Sequence, residues 1–488
     1  MRPNDSTEKV VAPGREDPFV SGLAEAIGGP RGTHAVPETP SRGGGFWTAA
    51  RIVLALTCLT LVFHWVQKSP CRDGAWQDLS QYTNFCYTDV LALYYAEGLN
   101  QGKVPYVPDG DDHQVEYPVL TGAMMALIGL PVHAMGQNDP SLNQGQAFYD
   151  LTALALMAFA VSTVAMILSL RRRRPWDAAL FALAPTLLVT TTVNWDFLAI
   201  VLAIAGLWFW ARRQPLAAGI MLGLGAAAKL WPGFLLGPII VLCIRNREFR
   251  PMGLAIGGAA GAWLVTNVPV MMLSYEDWHR FIELNQTRAI DWGTLWYIGR
   301  FFDSDLLSGG SAALFADIPL VTNLALLLFL LGCLGVAGLA LQSHTPPRLA
   351  QLAFLVIAIF LVTSKVWSQQ FTLWLLPLIV LARPKWGAFL FWQVAEVCYF
   401  LAFYLELMGA SGRQVIPEGT FVFASIMRLA AVVTLIVLVI REIRYPELDV
   451  VRQTYRGDPD WPSVNTTASA NSLRSTPSPS TGAVSADS

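Results

Sequence analysis

Between residues 46 and 440 the chain repeats one pattern, an apolar run followed by a short polar stretch, and that pattern constrains the fold more than anything else in it. A run of about 20 apolar residues crosses a bilayer as a helix, because hydrocarbon leaves no backbone group free to bond elsewhere. The candidate runs are 46–67, 117–136, 147–170, 176–193, 196–211, 215–229, 233–245, 251–272, 319–341, 350–364, 371–383, 386–406 and 420–440. Several are short and broken by Gly or Pro, as in helices that line a cavity inside a bundle. With 54% hydrophobic and 14% charged residues, the chain is too apolar for a soluble globular protein. It reads as an all-α polytopic membrane protein.

Arginine clusters set the expected topology. Arg171 to Arg174, Arg212 with Arg213, Arg245 with Arg247 and Arg250, Arg348, Arg383 with Lys385, and Arg441 with Arg444 belong on the cytoplasmic side. If 117–136 and 147–170 both crossed, Arg171 to Arg174 would fall outside. The segment 117–136, with Pro118 and Pro131, is therefore expected as a juxtamembrane or re-entrant hairpin. That leaves about twelve transmembrane helices, both termini cytoplasmic, and juxtamembrane helices in the first outer loop. The expected domains are a disordered tail over 1–45, without the apolar core of a signal peptide, a transmembrane domain over 46–441 with outer loops 68–116 and 273–318, and a mostly disordered low-complexity tail over 442–488.

The net charge of -2 gives no reason to expect nucleic acid. Four cysteines lie in apolar runs and read as small core residues. Cys71 and Cys86 differ, being fifteen positions apart in the first outer loop just before Asp89. In an oxidising compartment they can form a disulfide; otherwise they are unrelated thiols.

The outer side collects the residues able to do chemistry. Asp89 opens a short helix-like run, where a carboxylate is favoured by the helix dipole and can accept a proton; the simpler role is an N-cap. His113, Glu116 and Tyr117 follow it, beyond an acidic loop (Asp109, Asp111, Asp112) whose spacing is not that of a calcium loop. Asn194 and Asp196 stand at the end of an apolar hairpin, either reaching water or facing a cavity. Lys229 and Lys365 are lone cations beside tryptophans, suited to a lipid phosphate or to anchoring at the interface. The loop from 273 adds His279 and Arg288, and Gln369 follows Lys365. Trp278, Trp292 and Trp296 in the outer loops would either stack on a sugar or pack the loop. The chain carries no phosphate-binding loop, dinucleotide fingerprint or HExxH motif. An enzyme of this design would use a donor already activated and held in the membrane.

The Asp89 segment, Gly102-Lys103-Val104-Pro105-Tyr106, Glu116-Tyr117-Pro118-Val119-Leu120, Asn194-Trp195-Asp196, Ala228-Lys229-Leu230-Trp231-Pro232, Ser368-Gln369-Gln370-Phe371 and Trp374-Leu375-Leu376-Pro377 follow one another in an order that resembles glycosyltransferase family 87. These are polytopic enzymes of the GT-C type, including actinobacterial mannosyltransferases that use polyprenyl-phosphate-mannose. The resemblance spans roughly residues 46 to 440 and departs at Val119 and at Ser368 to Phe371, where many members have Pro and Ser-Pro-Gln-Tyr. It implies a GT-C-like helical bundle, with Asp89 as general base and neither metal nor cofactor.

The expected substrate-binding set is His113, Glu116, Tyr117, Asn194, Asp196, Lys229, His279, Arg288, Lys365 and Gln369. The expected partners are a polyprenyl-phosphate sugar donor, most plausibly of mannose, a cell-envelope lipid or glycan acceptor, and the plasma membrane, with the active site on the outer face. A transporter or flippase of a lipid-linked substrate is the alternative. It would show internal repeats with paired broken helices, and no convincing repeat is found. An inactive scaffold is the third reading, under which Asp89, Lys229 and Lys365 would be dispensable.

Overall fold

The computed structural model describes residues 17–28, 46–108, 115–306, 312–455 and 458–461. Among these the regular structure is helical throughout. Seven helices are long and apolar enough to cross a membrane. Five shorter apolar helices, such as Asp196–Ala211 and Leu349–Thr363, pack among them.

The bundle has two ends, one carrying Asp89 and the other Arg171. Helix Ala49–Gln67 runs to the Asp89 end, where Lys68 donates to the carbonyl of Tyr87. Helix Gln144–Leu170 starts at that end, its Gln144 accepting from the Tyr94 hydroxyl at 3.0 Å, and descends to Arg171. The segment 175–193 climbs back beside the first helix, with Thr60 donating to Ala182 O and His64 bonded to Leu188 O. Asp196–Ala211 descends, Pro215–Ala228 climbs to Lys229, and Trp231–Asn246 descends to Arg245. Phe249–Leu273, Ile318–Gln342, Leu349–Thr363, Thr372–Ala382, Trp386–Ala410 and Glu418–Arg444 then alternate in direction. Twelve traverses therefore lie among the described residues.

Two expectations need correction. The segment 117–136 is not a hairpin but one continuous helix, Val119–Asn138, with Pro131 inside it. Both its ends nevertheless touch the Asp89 end: Thr121 donates to Ala228 O, His133 bonds Asn100 O, and Gly136 lies against Gln144 at the start of the next helix. Length and composition qualify it to span, yet its neighbours keep it alongside that end. The run 176–193 is likewise no single helix. Pro175 and Pro185 each restart it, giving a 3-10 turn and two short helices, because proline lacks the N–H that a continuing helix needs.

The tails are shorter than composition suggests. Helix Pro18–Gly28 is docked through Asp17, whose carboxylate accepts the backbone N–H of Trp386 at 2.8 Å. At the other terminus the chain is packed as far as Trp461, where Asp460 takes a two-pronged hydrogen bond from Arg171 at 2.7 and 2.8 Å. Helices Pro215–Ala228 and Phe249–Leu273 approach so closely that a Cβ on Gly219 or Gly223 would strike the carbonyls of Ala255 and Ala259. Small residues at such crossings supply the dispersion contact that holds helices together in lipid.

Candidate active site

Asp89 is positioned by backbone and side chain together. Thr88 caps the helix Asp89–Ala96, its hydroxyl accepting from Val90 N and donating to Thr192 O, and the N–H of Asp89 donates to Val193 O at 2.8 Å. Capping thus belongs to Thr88, which leaves the Asp89 carboxylate available for other contacts. A disulfide between Cys71 and Cys86 ties the preceding loop to the end of the first helix.

Asn194 then fixes the carboxylate. Its Nδ2 donates to Asp89 Oδ2 at 2.8 Å and to the Tyr117 hydroxyl at 2.6 Å, while its Oδ1 accepts from Trp195 N. With both N–H groups and the oxygen of the amide engaged, the asparagine has one orientation. Burial raises the Asp89 carboxyl above the ordinary carboxylate range, against the hydrogen bonds from Asn194 and Tyr87 and the charge of Lys229; Asp196 adds to the rise. A carboxylate raised in this way is a stronger proton acceptor than a solvated one.

Asp89 faces a cavity of about 690 Å³. Glu116, Tyr117, Asn194, Lys229, Arg288, Lys365 and Gln369 line it too. Asp196 lies beneath, fully buried, its Oδ1 accepting from Lys229 Nζ at 2.7 Å and Trp374 Nε1 at 2.6 Å. Lys229 is thus neutralised from below. Lys365 is held differently, donating to Gln286 O at 2.9 Å and Thr322 Oγ1 at 2.7 Å, two uncharged partners. Arg288, half exposed, approaches Asp291 at 3.8 Å. Lys365 and Arg288 keep the freer positive charge.

Two of the expected residues are not brought to the cavity among the described residues. His279 stacks on Tyr275 and does not line the cavity, which that helix meets through Phe281, Leu284 and Asn285. His113 and the acidic loop 109–112 lie outside the described residues. Trp278, Trp292 and Trp296 pack their segment instead of lining the cavity: Trp278 donates to Asn267 Oδ1, Trp296 to Thr363 O, and Trp292 meets Phe403 and Phe421. An aromatic wall comes from Trp231, Trp374 and Phe371, stacked in sequence with centroids 5.5 and 4.0 Å apart.

Sequence reasoning missed Tyr87, Asp291 and Lys68, and it missed Arg428, which shapes the Lys365 loop by donating to the carbonyls of Trp367 and Ser368 while pairing with Glu396. A signal for that pair existed, since a lone Arg and a lone Glu inside apolar runs are costly unless they do something. Tyr87 and Lys68 carried no comparable signal.

A helical membrane protein whose buried carboxylate and cations share one cavity has the makings of a membrane-bound group-transfer enzyme. The model of glycosyltransferase family 87 matches residues 122–364, and the chain belongs to this family of GT-C membrane glycosyltransferases. No match is found among the curated proteins.

Proposed function

We propose that the chain transfers a sugar, most plausibly mannose, from a polyprenyl-phosphate donor to a lipid or glycan acceptor of the cell envelope, on the outer face of the plasma membrane. The observation that carries this reading is the placement of Asp89 in one cavity with Lys365 and Arg288. Asp89 takes the proton of the acceptor hydroxyl. The resulting oxygen attacks the anomeric carbon, the bond from that carbon to the phosphate oxygen breaks, and polyprenyl phosphate leaves with the electron pair. Attack opposite the leaving group inverts the anomeric centre. Lys365 and Arg288 stabilise the phosphate as its charge grows, which is where preorganised cations lower a barrier most.

An apolar flank supports a lipid-linked donor. Ala325, Leu326, Phe329 and Phe360 line the cavity. Leu326 is also half exposed. A prenyl chain would lie there with its phosphate toward Lys365.

The test is turnover by the purified protein against a panel of polyprenyl-phosphate sugars, with mass analysis of the products. Asp89→Asn should lower turnover by about 10²- to 10⁴-fold, the usual contribution of a general base, while assembly is retained. Wild-type turnover in that variant would dismiss Asp89 as the base. Movement of intact donor across vesicles without any glycosylated product would favour the transporter instead.

A further inference from the structure

Lys68 ends the first membrane helix and is 0% exposed. Lysines at such positions ordinarily extend their ammonium to water, but this one turns inward behind the loop that carries Asp89. Its Nζ donates to Tyr87 O at 3.2 Å and Phe85 O at 3.4 Å, and lies 5.8 Å from the Phe400 ring centre. Two carbonyls solvate an ammonium in part but do not neutralise it. Burying a charge in this way is unfavourable unless an opposite charge offsets it. The opposite charge acting on Lys68 is Asp89.

We infer that Lys68 is a positioning residue for Asp89, a buried countercharge behind its loop that helps the carboxylate stay ionised and therefore able to take a proton. The inference rests on Asp89 being the base. Burial pulls the Lys68 ammonium down to about 7 and Asp89 acts to raise it. Because a Coulomb interaction belongs to both partners, the ammonium favours the ionised carboxylate too, beside the stronger pull of Lys229.

Location explains why the other cations cannot do this alone. Lys229 acts on Asp89 but is already shared with Asp196, while Lys365 and Arg288 line the cavity, where an arriving phosphate draws on their charge. Lys68 does not line it and stays committed to the loop. The other groups facing Asp89 are Tyr87 and Tyr82 from its own loop, Tyr117 and Glu116 from the start of helix Val119–Asn138, Asn194 and Asp196, Lys229, and Tyr404 from Trp386–Ala410. His64 faces Lys68 from one turn earlier in its own helix.

The test uses the full-length protein in lipid discs with two variants, Lys68→Met and Lys68→Gln. Glutamine keeps a donor for the carbonyls but carries no charge, so it separates charge from hydrogen bonding. The infrared carboxyl band of Asp89, identified by its loss in Asp89→Asn, is titrated beside the pH dependence of kcat/KM. Both variants should move the band midpoint and the acid limb upward by about one pH unit. Turnover then falls about tenfold on the acid side, while the alkaline plateau is retained.

If the band stays in place in both variants, the inference is overturned whatever Asp89 does in catalysis. It is overturned too if Lys68→Gln behaves as wild type and only Lys68→Met is impaired, since the lysine would then act through hydrogen bonds. A band that moves without the acid limb sustains the charge pairing and overturns Asp89 as the base. Should Lys68→Met not assemble, the midpoint in Lys68→Gln decides the question by itself.

Discussion

At the Arg171 end, Arg348 meets Asp449 at 2.6 Å, Arg171 meets Asp460 at 2.7 Å and Arg174 meets Asp177 at 2.8 Å, all with side chains at most 5% exposed. At the opposite end, Asp89 is held by the amide of Asn194, and Lys68 and Lys365 donate to carbonyls and a hydroxyl. The first set of charges closes on itself and fastens the C-terminal segment to the bundle. Apart from Lys229, which Asp196 neutralises, the second is held by uncharged groups, which orient a charge without cancelling it. A substrate that brings its own phosphate and hydroxyl can use charges kept in that state, whereas the ion pairs of the first set are already satisfied.

The largest effect on this contrast should come from Arg348→Ala. It leaves Asp449 buried without its guanidinium and removes donors to Leu381 O and Ala382 O, for a loss of about 3–5 kcal/mol. Thermal unfolding in detergent measures it, and turnover per folded molecule should be unchanged. A loss below about 1 kcal/mol would mean the pairs at that end behave as surface bridges.

Next comes Cys71→Ser, which opens a link across 15 residues at the Asp89 end and should cost about 3 kcal/mol. Here stability and turnover should fall together, because Cys86 stands three residues before Asp89. Reductant added to the wild type should reproduce both effects.

Asn194→Ala gives the smallest change and the sharpest reading of the contrast. The amide N–H stabilises the ionised carboxylate, so its removal raises an already raised Asp89 further. As the proposed base, Asp89 is ionised only above its pKa, so activity should be lost at a higher pH than in the wild type. The acid limb of kcat/KM should move up by about one unit, and an unmoved limb would show that Asn194 serves only to hold Tyr117.

Much of this was legible in the sequence. Asn194, Lys229, Lys365 and Gln369 stand out as polar groups between apolar runs, and charge parity kept 117–136 from being counted as an ordinary traverse. The same reasoning failed at His279 and at Trp278, Trp292 and Trp296, because the direction of a side chain on an outer helix depends on which face the bundle covers. It failed at Lys68 for a related reason, since a lysine at the end of an apolar run looks like an interfacial anchor until a loop closes over it.

The sequence alone determined the class of fold, the arginine-rich end and the position of Asp89, because apolar length, charge distribution and helix capping are properties of a local stretch. Tertiary structure decided what surrounds Asp89. Which cations are neutralised, as Lys229 is by Asp196, which stay free of a carboxylate, and which lysine is sealed behind Asp89 depend on segments separated by 19 residues for Lys68 and Tyr87 and by 105 for Asp89 and Asn194 packing together. Burial sets the strength of those charges, and burial is a property of the packed bundle.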